Sequence, residues 1–474
     1  MRAARARPQA GAVVCEGRSI THSELLSASA CAARHLASSG VREGDIVAIE
    51  LRPSIEFVQA LHACWLLGAI AMPIDVRLTA AERDALCAQA ALRITQPLPA
   101  EGAPRVAAAP RGEPPASRSS SVTPDAGESL LAQASHHLHE VAVILHTSGT
   151  TSTPKRVQLT FGNLLWSALG SAVALGGGGE ERWLCTLPLC HVGGLSIIVR
   201  SAIFAGTAVI QPRFDAASAL EAIMHDRITL MSVVATTLRR LLDQGLSHPP
   251  HLRAALVGGG PVPASLLSRA QQAGVPACAT YGLTEASSQV ATVPVAALSP
   301  ARAALGARLT PARADLAALG AGPPLFCTKV QIAADGEILV AGPTVAPAAL
   351  RRDGWLATGD LGHLDELGNL HVTGRKADTI VSGGENVAPA EVEALLEAHP
   401  LVAEAAVLGR PHPEWGEAVA AIVVPAEGAS LTVEELRAHC AAKLAPFKVP
   451  KQFSFATEPL PRTASGKLLR RQLR

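Results

Sequence analysis

The segment from His146 to Val157 combines the residue types that hold phosphate groups. It reads HTSGTTSTPKRV and follows the apolar run Val141 to Leu145, which predicts a buried strand. Glycine and hydroxyl residues in such a turn offer backbone N–H and side-chain O–H groups to phosphate oxygens, and Lys155 adds a point charge. The Walker pattern, GxxxxGK followed by Ser or Thr, is absent. The segment therefore predicts a phosphate loop of another type; alone, it is also compatible with a Ser/Thr-rich surface turn.

Further motifs follow this loop in order along the chain. They are YGLTE (281–285), GWLATGD (354–360), GRKAD (374–378) with SGGEN (382–386), and PRTASGK (461–467). In this order and over most of the chain, the five matches resemble the adenylate-forming acyl-CoA synthetase family. The resemblance implies a two-step reaction in which a carboxylate and ATP give an acyl-adenylate and pyrophosphate, and the thiol of coenzyme A then displaces AMP. It also implies Mg²⁺ as the accompanying ion.

The resemblance assigns a set of residues to each part of the bound nucleotide and to its metal ion. The β- and γ-phosphates fall to Thr147, Ser148, Gly149, Thr150, Thr151 and Lys155. Thr284 is expected to contact the α-phosphate and Glu285 to bind Mg²⁺, a hard cation suited to carboxylate oxygens. Tyr281 offers a ring face to adenine, while Asp360 accepts the ribose hydroxyls with help from Arg375. Taken singly, each of these residues could equally be ordinary surface.

The carboxy-terminal motifs imply a mobile domain. Lys467 is expected to be the adenylation lysine, which a swinging domain brings in for the first half-reaction and out for the second. The hinge is expected at residues 375–378, and Gly383 and Gly384 are expected to let the pantetheine arm of coenzyme A pass close to the backbone. The phosphate loop departs from the family pattern at Ser152 and Arg156, where glycine is common. Arg156 could add charge for phosphate or crowd the loop.

The middle of the chain is similar to the branch of this family that ligates coenzyme A to o-succinylbenzoate, a step of menaquinone biosynthesis. The similarity rests on LPLCHVGGLSIIVR (187–200), RF (213–214), LVGGGP (256–261), TEASSQ (284–289) and GNLLWSA (162–168). A dicarboxylate in a largely apolar pocket needs a cation, and Arg200 lies in an otherwise apolar helix-like run. The alternative for Arg200 is a side chain that reaches the surface or pairs with a protein carboxylate. His191, Ser196, Gly259 and Gly260 are expected to shape the rest of the pocket, with His191 also among the catalytic residues.

The elements that must position these residues alternate between helix and strand. Helical spacing at 23–39 and 55–67 flanks a buried-strand pattern at 45–49, and several strand-like runs between 141 and 281 end in Gly, Ser or Thr clusters. Lys329 to Ile332 and Glu337 to Val340 flank Asp335-Gly336, which predicts a two-residue hairpin turn. The fold class is therefore α/β, with a large amino-terminal domain of α/β lobes and a β-rich subdomain, followed by a small mobile α+β domain. We expect the first domain at 1–374 with a flexible linker at about 97–129, the hinge at 375–378, and the second domain at 379–474.

Composition narrows the class of protein. The chain has 474 residues and a formal charge of +1, too balanced to recruit nucleic acid. The run 57–74 contains Gln59 and His62 and is too short to span a membrane, so no membrane insertion is expected. Nine separate cysteines without a CxxC pair and no secretory signal favour reduced thiols in the cytoplasm. Cys190 beside His191 suggests a Cys/His nucleophile, but a small apolar filler is the favoured interpretation.

Several alternatives stay open on the sequence alone. The expected partners are a small carboxylic acid, ATP and coenzyme A, and the chain could form a homo-oligomer. The acid could be another aryl acid or a short dicarboxylic acid such as oxalate or malonate. Ser152 and Arg156 also raise a degenerate member that binds nucleotide without catalysis, and a domain that loads a separate carrier protein is conceivable.

Overall fold

The computed structural model describes residues 2–100, 136–147, 154–298, 316–463 and 468–473. Its residues group into two compact units, the first formed by 1–168 with 178–213 and the second by 169–177 with 214–474. Both units contain helices and strands. The expected linker at about 97–129 lies almost wholly outside the described residues.

The first unit contains two groups of hydrogen-bonded strands. Its helices and strands, in chain order, are α1 (Arg2–Ala6), β1 (Gly11–Cys15), β2 (Arg18–Thr21), α2 (His22–Ser38), β3 (Ile46–Ile49), α3 (Ile55–Leu67), β4 (Ile70–Pro73), α4 (Ala80–Cys87), β5 (Leu92–Ile94), β6 (Val141–Thr147), β7 (Lys155–Thr160), α5 (Phe161–Leu175, which continues into the second unit), β8 (Arg182–Cys185), α6 (Val192–Phe204) and β9 (Thr207–Ile210). One sheet runs β5-β3-β4-β6-β7, parallel except for the β6–β7 hairpin. The other group runs β8-β9-β1-β2, with β2 antiparallel to β1.

Sequence signals explain where the helices of this unit begin. Thr21 caps α2 and Thr79 caps α4, each with a glutamate three residues later that bonds back to the cap residue's N–H, so both form capping boxes. Helix α3 ends at Gly68, whose φ of 76° is the left-handed conformation that glycine adopts without strain. The strands β3, β4 and β6 have mostly buried side chains, which is typical of parallel strands covered on both faces.

The second unit opens with α/β alternation and continues with an antiparallel sheet. Its first elements are α7 (Ala216–His225), β10 (Leu230–Val233), α8 (Ala235–Asp243), β11 (Ala254–Val257), α9 (Ala264–Gln272), β12 (Ala277–Leu283) and β13 (Ser288–Thr292). Strands β10, β11 and β12 are parallel, and β13 returns antiparallel to β12. The next sheet runs β14 (Lys329–Ile332), β15 (Glu337–Ala341), β16 (Leu356–Leu364) and β17 (Leu370–Arg375).

The last part of the chain forms a separate sheet with its own buried cluster. Its elements are β18 (Ile380–Ser382), β19 (Glu385–Val387), α10 (Pro389–Glu397), β20 (Val402–His412), β21 (Gly416–Pro425), α11 (Val433–Ala441) and β22 (Gln452–Phe455). The strands run in the order β19-β18-β21-β20, and β22 pairs with β21. Thr432 and Glu435 form the predicted capping box at the start of α11. Val392, Val407 and Val419 are among the fully buried side chains of this segment.

The α/β class, the β-rich portion and the α+β carboxy-terminal portion are confirmed, whereas one local prediction is wrong. The Ala333 N–H donates to the Glu337 carbonyl at 2.9 Å, so the loop of the β14–β15 hairpin has three residues, Ala334 to Gly336, instead of two. Gly336 takes φ of 81°, which explains the glycine. Among the described residues, no helix combines the length and apolar character needed to cross a membrane. The domain limits at 374 and 379 stay a prediction.

Candidate functional site

The β6–β7 hairpin carries the two described ends of the predicted phosphate loop. Thr147 and Lys155 face each other as the last paired residues of the hairpin, and the Thr147 hydroxyl lies 3.4 Å from the Lys155 carbonyl oxygen. Lys155 is exposed. Ser148, Gly149, Thr150, Thr151 and Ser152 lie outside the described residues, so their predicted roles stay predictions. Lys155 is thus the first residue of β7, directly after the predicted loop in the sequence.

Arg156 does not share the face of Lys155. It pairs with His146 across the hairpin, and its guanidinium donates to the side-chain oxygen of Gln89. Because neighbouring residues on a strand point to opposite faces, Arg156 and Lys155 diverge. Burial, followed by the charge of Arg156, lowers the pKa of His146. The Arg156 side chain therefore binds Gln89. Its two predicted roles, to add charge for phosphate or to crowd the loop, stay predictions.

Tyr281, Asp360 and Arg375 come together although they lie on three different strands. The Tyr281 hydroxyl donates to Asp360 Oδ2 at 2.7 Å, and Arg375 Nε lies 2.8 Å from Asp360 Oδ1. Asp360 is 5% exposed, whereas the side chain of Arg375 is 46% exposed. Burial, followed by the charge of Asp360, raises the pKa of Tyr281. This is the chain's single tyrosine, and its ring is held by a bond at its far end.

The local structure of the GWLATGD and YGLTE motifs positions the side chains of Asp360 and Tyr281. Thr358 donates to the Ile338 carbonyl at 2.7 Å and accepts from the Asp360 N–H at 3.1 Å, which fixes the backbone on both sides of Gly359. Gly282 lies at a bulge between β12 and β13, where an added Cβ would fall 1.6 Å from the Ser288 carbonyl oxygen. Only glycine fits there, so the motif's glycine is explained by close backbone approach.

Thr284 and Glu285 form a single 3-10 turn, Thr284–Ala286, directly after β12. The Glu285 carbonyl accepts from the Ala346 N–H at 2.8 Å, which holds this turn in place. Both side chains are half-buried. A half-buried carboxylate on a fixed turn supplies the oxygen ligand that Mg²⁺ prefers, so Glu285 fits the ion that the sequence resemblance implies.

Three residues predicted to bind the acid lie at the start of helix α6 or within it. His191 is the residue that precedes the helix, Ser196 lies in its second turn, and Arg200 lies one turn further along the same face. The Ser196 hydroxyl donates to the Gly193 carbonyl at 3.0 Å. Ser196 and Arg200 are 5% and 4% exposed, so both are buried, whereas His191 is half-buried.

Arg200 is a buried cation without a carboxylate beside it in the described part of the chain. Its guanidinium carbon lies 5.1 Å from the centroid of the Trp183 ring, a cation–π contact. Nε and Nη2 have no hydrogen-bond partner among the described residues. Burial alone lowers the pKa of Arg200 to about 9. A guanidinium that keeps two unpaired donors in an apolar setting is suited to receive an anion.

The predicted glycines lie in turns with different requirements. Gly259 has φ of 79°, and an added Cβ at Gly260 would meet no atom within 4 Å. Gly383 and Gly384, with φ of 60° and 85°, form the whole turn between β18 and β19. Two positive φ values describe a tight hairpin turn that itself favours glycine. At Gly384, too, an added Cβ would meet no atom within 4 Å, so the backbone there is open to approach.

The predicted hinge is anchored on both sides. Residues Lys376–Asp378 form a 3-10 turn, in which Lys376 binds Asp335 at 2.6 Å and Glu337 at 3.2 Å. Asp378 lies 3.4 Å from Arg470, which also binds Glu393 through contacts of 2.5 and 2.8 Å. Ala377, between the two anchors, has the smallest side chain of the three.

Lys467 lies outside the described residues, and its role stays a prediction. The segment that follows it is held in place, because Arg470 is bound by Glu393 and the Arg410 guanidinium donates to the Leu473 carbonyl at 2.8 Å. Sequence reasoning missed Arg470 and Trp183. The arginine three residues after Lys467 is visible in the sequence, whereas nothing in the sequence pairs Trp183 with Arg200.

Comparison with known families matches two domain models to the chain. The AMP-binding enzyme model covers residues 1–348, and the AMP-binding enzyme C-terminal domain model covers residues 391–467. The chain is similar to 2-succinylbenzoate–CoA ligase of Geobacillus kaustophilus strain HTA426, with 41% identity over 98% of this chain and 95% of that protein. It is also similar to the ligase of the same name from Bacillus subtilis strain 168, with 37% identity over 100% and 96% of the two chains.

Solved structures give the same picture. The o-succinylbenzoate CoA synthetase of Bacillus subtilis in complex with the acyl-adenylate intermediate OSB-AMP superposes with a TM-score of 0.81 and 34% identity, over 100% of this chain and 97% of that one. The same enzyme with ATP and a magnesium ion gives a TM-score of 0.80 at 34% identity, over 100% and 98%. ATP-bound MatB from Rhodopseudomonas palustris gives 0.79 at 25% identity, over 98% and 95%.

Proposed function

The chain belongs to the AMP-binding enzyme family, and we propose that it is an ATP-dependent acid–CoA ligase that acts on o-succinylbenzoate. The single observation on this chain that carries the choice of acid is Arg200, a buried guanidinium with two donors that no described residue satisfies. Similarity to 2-succinylbenzoate–CoA ligases over nearly the whole chain supports the same acid. A place in menaquinone biosynthesis follows from that acid.

In the first half-reaction an oxygen of the acid's succinyl carboxylate attacks the α-phosphorus of ATP. The new O–P bond forms while the bond to pyrophosphate breaks, so negative charge accumulates on the phosphate oxygens. Lys155, with Thr147 and the loop residues Ser148 to Thr151, holds the β- and γ-phosphates, and Lys467 reaches the α-phosphate and the attacking carboxylate. Glu285 holds Mg²⁺, which when bound neutralises charge on phosphate oxygens.

The nucleoside of ATP lies against the cluster of Tyr281, Asp360 and Arg375. Asp360 accepts from Tyr281 through Oδ2 and pairs with Arg375 through Oδ1, and these two neighbours hold its carboxylate in place for the ribose hydroxyls. The Tyr281 ring, fixed by its bond to Asp360, offers a rigid face to adenine. Thr284, on the turn after β12, contacts the α-phosphate.

In the second half-reaction the thiol of coenzyme A attacks the acyl carbonyl carbon and AMP leaves. A C–S bond replaces the C–O bond, and the thiol proton is released. Gly383 and Gly384 let the pantetheine arm approach the backbone. A rotation about residues 375–378, between the domains 1–374 and 379–474, exchanges Lys467 for this turn, with Lys376 and Asp378 anchored on the two sides of Ala377.

The acid's aryl carboxylate pairs with Arg200. A carboxylate and a guanidinium form two parallel charge-assisted hydrogen bonds, and Nε and Nη2 are the two donors available for them. His191, Ser196, Gly259 and Gly260 line the remaining pocket. A monocarboxylic acid would leave the buried cation unpaired, which favours a dicarboxylate over benzoate or a fatty acid.

The degenerate, non-catalytic alternative has less support in this geometry. It rested on Ser152 and Arg156, and the Arg156 guanidinium binds Gln89 on the face opposite Lys155. We further propose a cytoplasmic location, in line with the nine unpaired cysteines. We also propose that the chain can form a homo-oligomer, which the molecular mass in solution tests.

The test is acid-dependent exchange between ATP and pyrophosphate, measured with o-succinylbenzoate, benzoate, oxalate, malonate and a medium-chain fatty acid. Release of AMP on addition of coenzyme A is measured next. We expect exchange with o-succinylbenzoate well above that with the other acids. Strong exchange with malonate or oxalate instead would overturn the choice of acid and keep the chemistry, whereas nucleotide binding without exchange for any acid would overturn the ligase activity.

A further inference from the structure

Asp75, Cys190 and His191 form a cluster of three metal-ligand types in the first unit. A carboxylate oxygen, the thiol sulfur and an imidazole nitrogen all lie within 4.8 Å of one another. Asp75 lies two residues beyond β4, and Cys190 and His191 directly precede α6. All three side chains are half-buried, so a small ion from solvent can reach them. The proposed ligase reaction uses only His191 of the three.

Cys190 differs from the other cysteines of the chain. The remaining eight are buried, and Cys190 alone is partly exposed. Its side chain lies beside the Asp75 carboxylate and the His191 imidazole and also contacts the Arg77 guanidinium. The carboxylate, the thiol and the imidazole thus face one another in a partly exposed position.

We propose that Asp75, Cys190 and His191 bind a thiophilic divalent cation such as Zn²⁺. Carboxylate, thiolate and imidazole are the ligand types of Zn²⁺ sites, and three protein ligands leave a fourth position open. In a tetrahedral site with ordinary bond lengths the ligand atoms lie roughly 3.4–3.6 Å apart. The three atoms, all within 4.8 Å of one another, must therefore move closer by up to about 1 Å when an ion binds. On binding, a metal–sulfur bond forms and the thiol proton passes to solvent.

Arg77 sets the strength of this site. Its Nε lies 2.7 Å from Asp75 Oδ1 and its Nη2 2.6 Å from Oδ2, so the carboxylate already has a cationic partner. A carboxylate has about four lone-pair positions, and Oδ2 keeps one for a metal. The charge of Arg77 repels the ion, however, so the site is weaker than a closed structural zinc site.

Occupancy would also affect the ligase reaction, a consequence that rests on the proposed function. His191 begins the helix that carries Ser196 and Arg200. A metal bond fixes the imidazole and places a double charge at the start of this helix, so acid-dependent activity falls. Mg²⁺ prefers oxygen ligands and does not replace Zn²⁺ at a thiolate. We therefore expect Zn²⁺ inhibition that excess Mg²⁺ does not relieve and that a chelator reverses.

The test of binding needs no substrate, so its failure is distinct from failure of the ligase proposal. The full chain is titrated with Co²⁺ in place of Zn²⁺, and the near-ultraviolet charge-transfer absorption of a Co²⁺–thiolate bond is recorded. Competition with Zn²⁺ then gives the affinity for zinc. We expect a thiolate band that saturates at one ion per chain and that Zn²⁺ abolishes.

The matched control is Cys87, which also lies beside a carboxylate and an arginine but has no histidine in its cluster. Its Sγ lies 3.5 Å from Glu50, which binds Arg93 at 2.6 Å. Cys190→Ser should abolish the band and weaken Zn²⁺ binding at least about tenfold, whereas Cys87→Ser should keep both. Arg77→Met, which removes the competing charge, should tighten binding. No thiolate band in the wild-type chain, or a band that survives Cys190→Ser, would overturn the site.

Discussion

Replacing Arg200 with leucine should damage acid recognition and stabilise the fold at the same time. In the folded chain this guanidinium is 4% exposed, and burial lowers its pKa from 12.5 to about 9. Removal of a side chain with only a structural role normally lowers the stability of the fold. Removal of a buried charge that is kept for a ligand raises this stability, because the partner of the charge is present only when the ligand is bound.

The magnitude follows from the pKa and from the contacts. Burial of an unpaired guanidinium costs on the order of 5 kcal/mol, from which the Trp183 contact returns about 2 kcal/mol. The leucine variant should therefore gain stability on the order of 3 kcal/mol, less whatever the smaller side chain leaves unfilled. Two lost charge-assisted hydrogen bonds at about 1.5 kcal/mol or more each lower kcat/KM for o-succinylbenzoate by at least about 100-fold.

The assay compares o-succinylbenzoate with 3-benzoylpropionate, which lacks the aryl carboxylate. Arg200→Leu should lose activity with the first acid and not with the second, while urea unfolding reports the gain in stability. Arg182→Leu is the matched control, because Arg182 lies beside Trp183 on β8 but points to the opposite face of that strand. Unchanged kcat/KM for o-succinylbenzoate in Arg200→Leu would refute the reasoning.

Three further predictions concern other parts of the chain. Burial lowers the pKa of His62 from 6.5 to about 4. Between these pH values the imidazole is protonated in the unfolded chain and neutral in the folded chain. Unfolding free energy should fall by up to about 3 kcal/mol as pH drops through this window, and urea unfolding of His62→Gln should show a smaller fall. Tyr281→Phe keeps the ring but removes the bond to Asp360, so KM for ATP should rise about tenfold with little change in KM for coenzyme A; equal rises would contradict the ribose assignment. Arg470→Gln frees the segment after Lys467 from Glu393, so stopped-flow kinetics should show slower adenylation and unchanged conversion of added acyl-adenylate; an equal loss in both steps would indicate a purely structural role.

Much of the fold could be predicted because its signals are local. The capping box of Thr432 and Glu435, the helix at 55–67 and the hairpin strands at 329–332 and 337–340 depend on residues within a few positions of each other. The hairpin turn was mispredicted because Asp-Gly is also compatible with a longer turn that ends in a left-handed glycine.

The residues of the candidate site could be predicted from the sequence only where they belong to a motif. Tyr281, Asp360 and Arg375 come from three motifs, and the structure brings Tyr281 and Arg375 to the carboxylate of Asp360, whereas their roles toward adenine and ribose stay predictions. Trp183 under Arg200 and Asp75 beside Cys190 are pairs between distant segments that a single sequence does not reveal. Contacts of this kind depend on sheet order and side-chain rotation, which local patterns do not determine.

The most direct test of the central claim is the product balance with o-succinylbenzoate as the acid. The purified chain is incubated with ATP, Mg²⁺, coenzyme A and equimolar o-succinylbenzoate, malonate and oxalate, and the products are quantified by mass spectrometry. We expect o-succinylbenzoyl-CoA, AMP and pyrophosphate in equal amounts, with the other acids recovered unchanged. Formation of malonyl-CoA or oxalyl-CoA as the main product, or of ADP instead of AMP, would contradict it.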